Sequence, residues 1–67
     1  MRFFKHQGQC GSLYAILRED GAVKYWFPDI YWQEWLFLGT DGEKCATRYH
    51  PDEVSGLEVL VVCGAWE

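Results

Sequence analysis

Ser12-Leu13-Tyr14-Ala15-Ile16-Leu17-Arg18-Glu19, then Asp20-Gly21, then Ala22-Val23-Lys24-Tyr25-Trp26-Phe27 is the stretch whose reading decides the fold. Two runs rich in strand-forming residues flank an Asp-Gly pair. That pair is the chemistry of a two-residue type I′ hairpin, whose central residues both need positive φ. A two-residue loop sets the register: Arg18 opposite Val23, Ile16 opposite Tyr25, Ala15 opposite Trp26 and Tyr14 opposite Phe27.

The same logic predicts a second hairpin. Gln33 to Thr40 turns at Asp41-Gly42 and returns as Glu43 to Tyr49. Its register pairs Leu38 with Cys45, Leu36 with Thr47 and Trp35 with Arg48, the last a cation–π contact. Pro28 cannot donate to a ladder and ends the strand before it, leaving residues 29–32 as a loop or one helical turn. Residues 50–56 carry a proline, two acids and a closing glycine, the pattern of a one-turn helix. Leu57 to Cys63 is a near-continuous apolar run that reads as a strand buried on both faces. Arg2 to His6 reads as a weaker strand, at an edge or beside Leu57 to Cys63. The fold class expected is all-β with one or two short helical turns. It is a small antiparallel barrel or curled sheet of about five to six strands, built on the two Asp-Gly hairpins.

The chain has 67 residues, expected to form one domain over 1–67, near the lower limit for a self-sufficient core. Its apolar content of 49% is far from the signature of disorder. Four Trp, four Tyr and four Phe supply large buried areas that length alone does not.

Ten acids against six Lys and Arg give a net charge of −4. That balance opposes direct nucleic-acid binding, which needs a positive face, and docking on an anionic membrane. It suits a partner with a basic surface. Cys10, Cys45 and Cys63 are odd in number and cannot form a closed disulfide framework, so reduced thiols and a cytoplasmic location are expected. Lys5 and His6 follow Phe3 and Phe4 at once, so no signal peptide is read. The longest uncharged apolar stretch, Val59 to Trp66, is far below a membrane span of about 20 residues.

Chemistry-bearing patterns are sparse. His6, Cys10, Cys45, His50 and Cys63 are the residues zinc would use, but no Cys-x-x-Cys pair occurs, and Cys45 falls inside a predicted strand. No metal and no cofactor is therefore expected. A nucleophilic site would need Cys10 or Ser12 beside His6 or His50 with a third group to orient the imidazole, and no such triad is evident. The carboxylates at 19–20, 41–43 and 52–53 fall in turns or at a helix start, where turn chemistry explains them. Gly8-Gln9-Cys10-Gly11 matches neither a P-loop nor a dinucleotide fingerprint. No catalytic residue is assigned, and an enzyme is not expected.

The unusual feature is aromatic. Tyr25, Trp26, Phe27, Tyr31, Trp32, Trp35 and Phe37 fall within thirteen residues. Strand alternation sends Tyr31, Gln33, Trp35 and Phe37 one way and Trp32, Glu34, Leu36 and Leu38 the other. Either a curled sheet buries both faces, or one waits for a partner. Trp, Tyr and Arg dominate interface hot spots. Trp32, Trp35, Arg48, Tyr31 and Phe37, with the acids Asp52 and Glu53, are therefore the candidate partner-binding residues.

The expected function is a non-enzymatic protein-binding module, a stoichiometric inhibitor or adaptor acting on a larger protein. One version is a phage- or mobile-element-encoded antagonist of a nucleic-acid-handling host defence enzyme, in the manner of anti-CRISPR proteins. That is an analogy of size and charge, not of motif. The alternative is a small-ligand-binding β domain with aromatic pockets at a homodimer interface.

Overall fold

Runs of aromatic and aliphatic residues, two of them buried on both faces, build three adjacent strands. In the computed structural model, which describes residues 1–66, these are β1 (Arg2–Gly8), β2 (Gly11–Leu17) and β3 (Ala22–Phe27). Gln9-Cys10 joins β1 to β2 between two glycines, and Gly11 takes φ 126° there. Two short strands follow, β4 (Tyr31–Trp32) and β5 (Leu36–Phe37), and then a 3-10 turn, Gly39–Asp41. Next come helix α1 (Gly42–Tyr49), strand β6 (Asp52–Val54) and helix α2 (Gly56–Cys63). The antiparallel sheet runs β4-β3-β2-β1-β6, with β5 also on β3, and it is open. It is a curled sheet of six strands with two short helices rather than a barrel.

The first hairpin forms, shifted by one residue. Tyr14 pairs with Trp26, Ala15 with Tyr25, Ile16 with Lys24 and Leu17 with Val23. Arg18 N–H donates to the Ala22 carbonyl at 2.8 Å, and Gly21 N–H to the Arg18 carbonyl at 3.0 Å. The loop is thus Glu19-Asp20-Gly21, and Gly21 supplies its positive φ of 90°. This is the three-residue hairpin with a left-handed glycine, not a type I′ turn. The Asp20 carboxylate secures it, accepting from Ala22 N–H at 3.1 Å and from the Arg18 guanidinium at 2.9 and 2.7 Å. One residue of slip reverses which face of β3 matches which face of β2.

The second predicted hairpin does not form. Residues 42–49 are helical, so the expected pairs Leu38–Cys45, Leu36–Thr47 and Trp35–Arg48 are absent. Glu43, Lys44, Ala46 and Arg48 are good helix formers, with Glu43 in the first turn and Arg48 in the last, complementing the dipole. Asp41-Gly42 opens this helix instead of turning a hairpin. Gly42 packs so tightly on the Gly21 carbonyl that a Cβ there would collide with it.

Two more expectations are corrected at the C-terminal end. The helical turn expected over 50–56 does not form; its middle, Asp52–Val54, is strand, because β6 pairs with β1: Val54 opposite Phe3, Glu53 opposite Phe4, Asp52 opposite Lys5. Opposite charges favour this register: Arg2 reaches Glu53 at 3.1 Å as well as Glu43 at 3.2 Å. Leu57 to Cys63 is helix, not strand. Ser55 caps it, its hydroxyl accepting from Glu58 N–H at 3.2 Å. Gly64, with φ 79°, ends it and donates to the Leu60 carbonyl at 3.0 Å. β1 accordingly lies inside the sheet, between β2 and β6, rather than at an edge.

Each helix covers one face. On one side Phe4, Ala15 and Val23 pack with Ala46 of α1, and Leu17, Tyr25 and Leu38 close around them. On the other, Tyr14 and Ile16 pack with Val59 of α2, flanked by Phe3, Trp26, Trp32, Trp35 and Trp66. Tryptophan side chains therefore wall the second cluster and widen a core that six short strands leave narrow.

Candidate functional site

The bend at Pro28–Ile30 and the positive φ of Tyr31 (64°) break the extended run expected across 31–38. Trp32 and Trp35 both turn inward onto the second cluster, half-buried. Trp32 donates its indole N–H to the Cys63 carbonyl at 3.2 Å, which ties β4 to the end of α2. Trp35 is held between two cations: the Arg18 guanidinium 4.7 Å from its ring centre and the Lys24 ammonium at 5.4 Å. A cation does meet Trp35, but it is not Arg48, which lies on α1 with its guanidinium 5.7 Å from the Tyr49 ring centre. Tyr31 and Phe37 remain exposed, at 66% and 68%. Asp52 and Glu53 lie on the outer strand β6, Glu53 engaged by Arg2. The seven candidate residues therefore do not form one patch: two Trp support the core, Arg48 lies on a helix, and the acids line the far edge.

Two other features gather exposed or unsatisfied groups. The first is the outer side of α2. Its inner stripe, Gly56, Val59 and Cys63, faces the sheet. A Cβ on Gly56 would come within 2.9 Å of the Phe3 ring, a measure of how closely the helix sits. The remaining apolar residues point away: Leu57 (69% exposed), Leu60 (45%), Val61 (76%) and Val62 (50%). The only charge in the helix, Glu58, accepts from the Tyr14 hydroxyl at 3.0 Å and meets Lys5 Nζ at 3.4 Å. Helices that are apolar all round are normally covered.

The second feature is an open cleft of about 740 Å³ on the opposite face. His6, Leu13, Tyr25 and Phe27 of the sheet form its floor, and Cys45, Arg48 and Tyr49 of α1 with His50-Pro51 form its wall. A smaller groove of about 410 Å³ shares His6, Leu13 and Phe27 and continues toward the Gln9-Cys10 turn and Pro28–Ile30. His50 is 4% exposed, its Nδ1 3.0 Å from the Ala46 carbonyl. That contact makes Nδ1 the protonated nitrogen and leaves Nε2 an acceptor. Among the described residues, Nε2 has no hydrogen-bond partner. Burial lowers the His50 pKa below the usual histidine value, so the ring is neutral at pH 7.

The thiols are dispersed. Cys10 is exposed at the first turn, Cys45 lies on α1 and Cys63 on α2. Burial and the nearby Glu58 push the Cys63 thiol up to about 12, which makes it a poor thiolate source. Among the described residues, no group of three or more His, Cys, Asp or Glu is placed to hold a metal ion. No helix among them is long and apolar enough to cross a membrane.

Sequence reasoning placed neither the α2 face nor the cleft. Ser55 and Glu58 at capping-box spacing, followed by a stop at Gly64, were the available signal for α2. No protein-family model matches the chain, and no curated protein or solved structure shows significant similarity to it.

Proposed function

We propose that the protein is a non-enzymatic binding module, an inhibitor or adaptor that docks on a larger protein through the outer face of α2. The observation that carries this reading is the exposure of Leu57, Leu60, Val61 and Val62 together on one eight-residue helix. Fully burying an aliphatic side chain is worth about 1.5–3 kcal/mol, so four partly exposed ones supply a substantial drive to association. Leu57, Leu60 and Val61 have the i, i+3, i+4 spacing by which a helix enters an apolar groove. The one charge on the helix, Glu58, is already paired with Lys5, so the docking face is apolar. The net charge of −4 favours a partner whose apolar groove is rimmed by Lys or Arg.

The test is quantitative capture by tagged protein from its host, with sedimentation of the purified chain alongside. The wild type is expected to be monomeric alone and to retain one partner stoichiometrically. Val61→Asp and Leu57→Asp should lose that partner while keeping wild-type circular dichroism and melting temperature, and Tyr49→Asp on the opposite face should keep it. Retention of the same partner by both α2 variants would overturn the reading. A concentration-dependent dimer abolished by Val61→Asp would assign the face to a second copy instead.

A further inference from the structure

The cleft beside α1 is independent of the α2 face and has a recognisable chemistry. Tyr25 and Phe27 of the floor and His50 of the wall form a row of rings: His50 and Tyr25 lie 5.7 Å apart between centroids at 31°, and Tyr25 and Phe27 lie 6.5 Å apart at 40°. A run of inclined aromatic surfaces favours a flat apolar body. His50 also lines the cleft, and its Nε2 is a buried acceptor without a partner among the described residues. The two nitrogens of an imidazole point in nearly opposite directions. With Nδ1 directed at the Ala46 carbonyl, Nε2 faces away from the helix backbone. An unmet buried acceptor costs stability and is met by a donor, not by another acceptor.

Charge defines the rest of the lining. The chain carries ten acids, yet none lines this cleft; its charged and titratable lining is Arg48, His6, His50, Cys45 and two tyrosines. Arg48 is exposed at the wall, and among the described residues it forms no salt bridge. The Tyr25 hydroxyl is already occupied, donating to the Cys45 carbonyl at 3.4 Å, and burial raises its pKa so that it stays a phenol.

We propose that this cleft is a binding site for a small planar aromatic acid whose ring carries one N–H or O–H donor. The ring lies along Tyr25 and Phe27, the donor meets His50 Nε2, and the carboxylate meets the Arg48 guanidinium. An acid without the donor leaves Nε2 unmet, and a neutral analogue forgoes the hydrogen-bonded ion pair with the exposed Arg48, so each end of the ligand is selected separately.

The experiment uses matched probes on the intact chain. 4-Hydroxyphenylacetate and 4-methoxyphenylacetate differ in the donor hydrogen, which a methyl group replaces; 4-hydroxyphenylacetate and p-cresol differ in the acid. Titrations are followed by NMR of the His50 ring nitrogens and the Tyr25 and Phe27 ring protons. The hydroxy acid is expected to shift these resonances and to bind about tenfold more tightly than its methoxy counterpart. His50→Phe should erase that discrimination, and Arg48→Gln should reduce the hydroxy acid to the affinity of p-cresol. The wild-type titration stands even where His50→Phe fails to fold. Equal affinity of the hydroxy and methoxy acids, shifts confined to other parts of the chain, or no shift at about 10 mM probe would each overturn the proposal, since a carboxylate–arginine hydrogen bond and a met acceptor should together exceed that affinity. Val61→Asp should leave probe binding unchanged, so failure here is distinguishable from failure of the α2 reading.

Discussion

The Tyr14 hydroxyl donates to Glu58 Oε2 across 3.0 Å and so fastens the middle of the sheet to α2. Tyr14 is 1% exposed, and its ring packs edge-on against Trp26 at 5.9 Å. Hydrogen bonds to a charged acceptor are stronger than neutral ones. Tyr14→Phe keeps the ring and removes only the donor, and is expected to cost about 1–2 kcal/mol by urea denaturation. Glu58→Gln should cost less, because the amide oxygen still accepts.

Two valines in one helix give a sharper contrast. Val59 is 0% exposed and packs with Tyr14 and Ile16, whereas Val61 is 76% exposed. Val59→Ala is expected to lose about 2 kcal/mol, by lost transfer energy and the cavity left behind. Val61→Ala should stay within about 0.5 kcal/mol of wild type in the isolated chain. Equal losses would mean that α2 is covered on both sides in solution, and thermal melts at two protein concentrations would reveal it.

What could be read from the sequence was set by how local the deciding interaction is. β2 and β3 are runs rich in strand-forming residues on either side of one turn signal, and their pairing followed from position alone. Their register did not, because Asp20-Gly21 fits either a two- or a three-residue loop and the Arg18–Asp20 bridge decides. α1 was hidden because its buried residues are two small ones, Gly42 and Ala46, which leave almost no apolar period to detect. α2 was hidden for the opposite reason: seven mostly apolar residues fit a buried strand as well as a helix, and only the Ser55–Glu58 cap separates them. Arg18 replaced Arg48 at Trp35 as a direct consequence of these two errors of element type. The cleft was beyond reach, since His6, Tyr25 and His50 meet only through the placement of α1 over the sheet.

Gly42 tests that placement. Replacing glycine by alanine in a helix normally stabilises it by up to about 1 kcal/mol. At Gly42 the sign should reverse, because the new Cβ would collide with the Gly21 carbonyl oxygen, a backbone atom that cannot swing aside. Gly42→Ala is expected to lower the melting temperature, while Gly39→Ala meets open space and is penalised only through its φ of 60°. A stabilised Gly42→Ala would show that the hairpin loop and α1 are not in contact.

His50 gives the protein a pH dependence of defined sign. Burial, as the largest cause, lowers its pKa in the fold, partly offset by the Ala46 carbonyl; the nearby His6 lowers it further. The groups around it are Tyr25, His6, Cys45 and Arg48, with no carboxylate in the cleft lining to favour the imidazolium. The unfolded chain therefore takes up the proton first, near the ordinary histidine value of 6.5. The stability contributed by the neutral ring is complete above that value and is lost as pH falls through it toward the lower folded pKa. A separate acid limb comes from Asp20, whose pKa the Arg18 guanidinium holds at about 2; its contribution is present above the unfolded value of 3.8 and fades as pH drops toward 2. Urea midpoints measured from pH 7.5 down to about 2 should decline between about pH 7 and 5 in the wild type and flatten there in His50→Gln, whereas Asp20→Asn should lower the midpoint by a constant amount above about pH 4 and flatten the limb below it. An unchanged slope in His50→Gln would mean that the imidazole titrates as freely in the fold as in the unfolded chain.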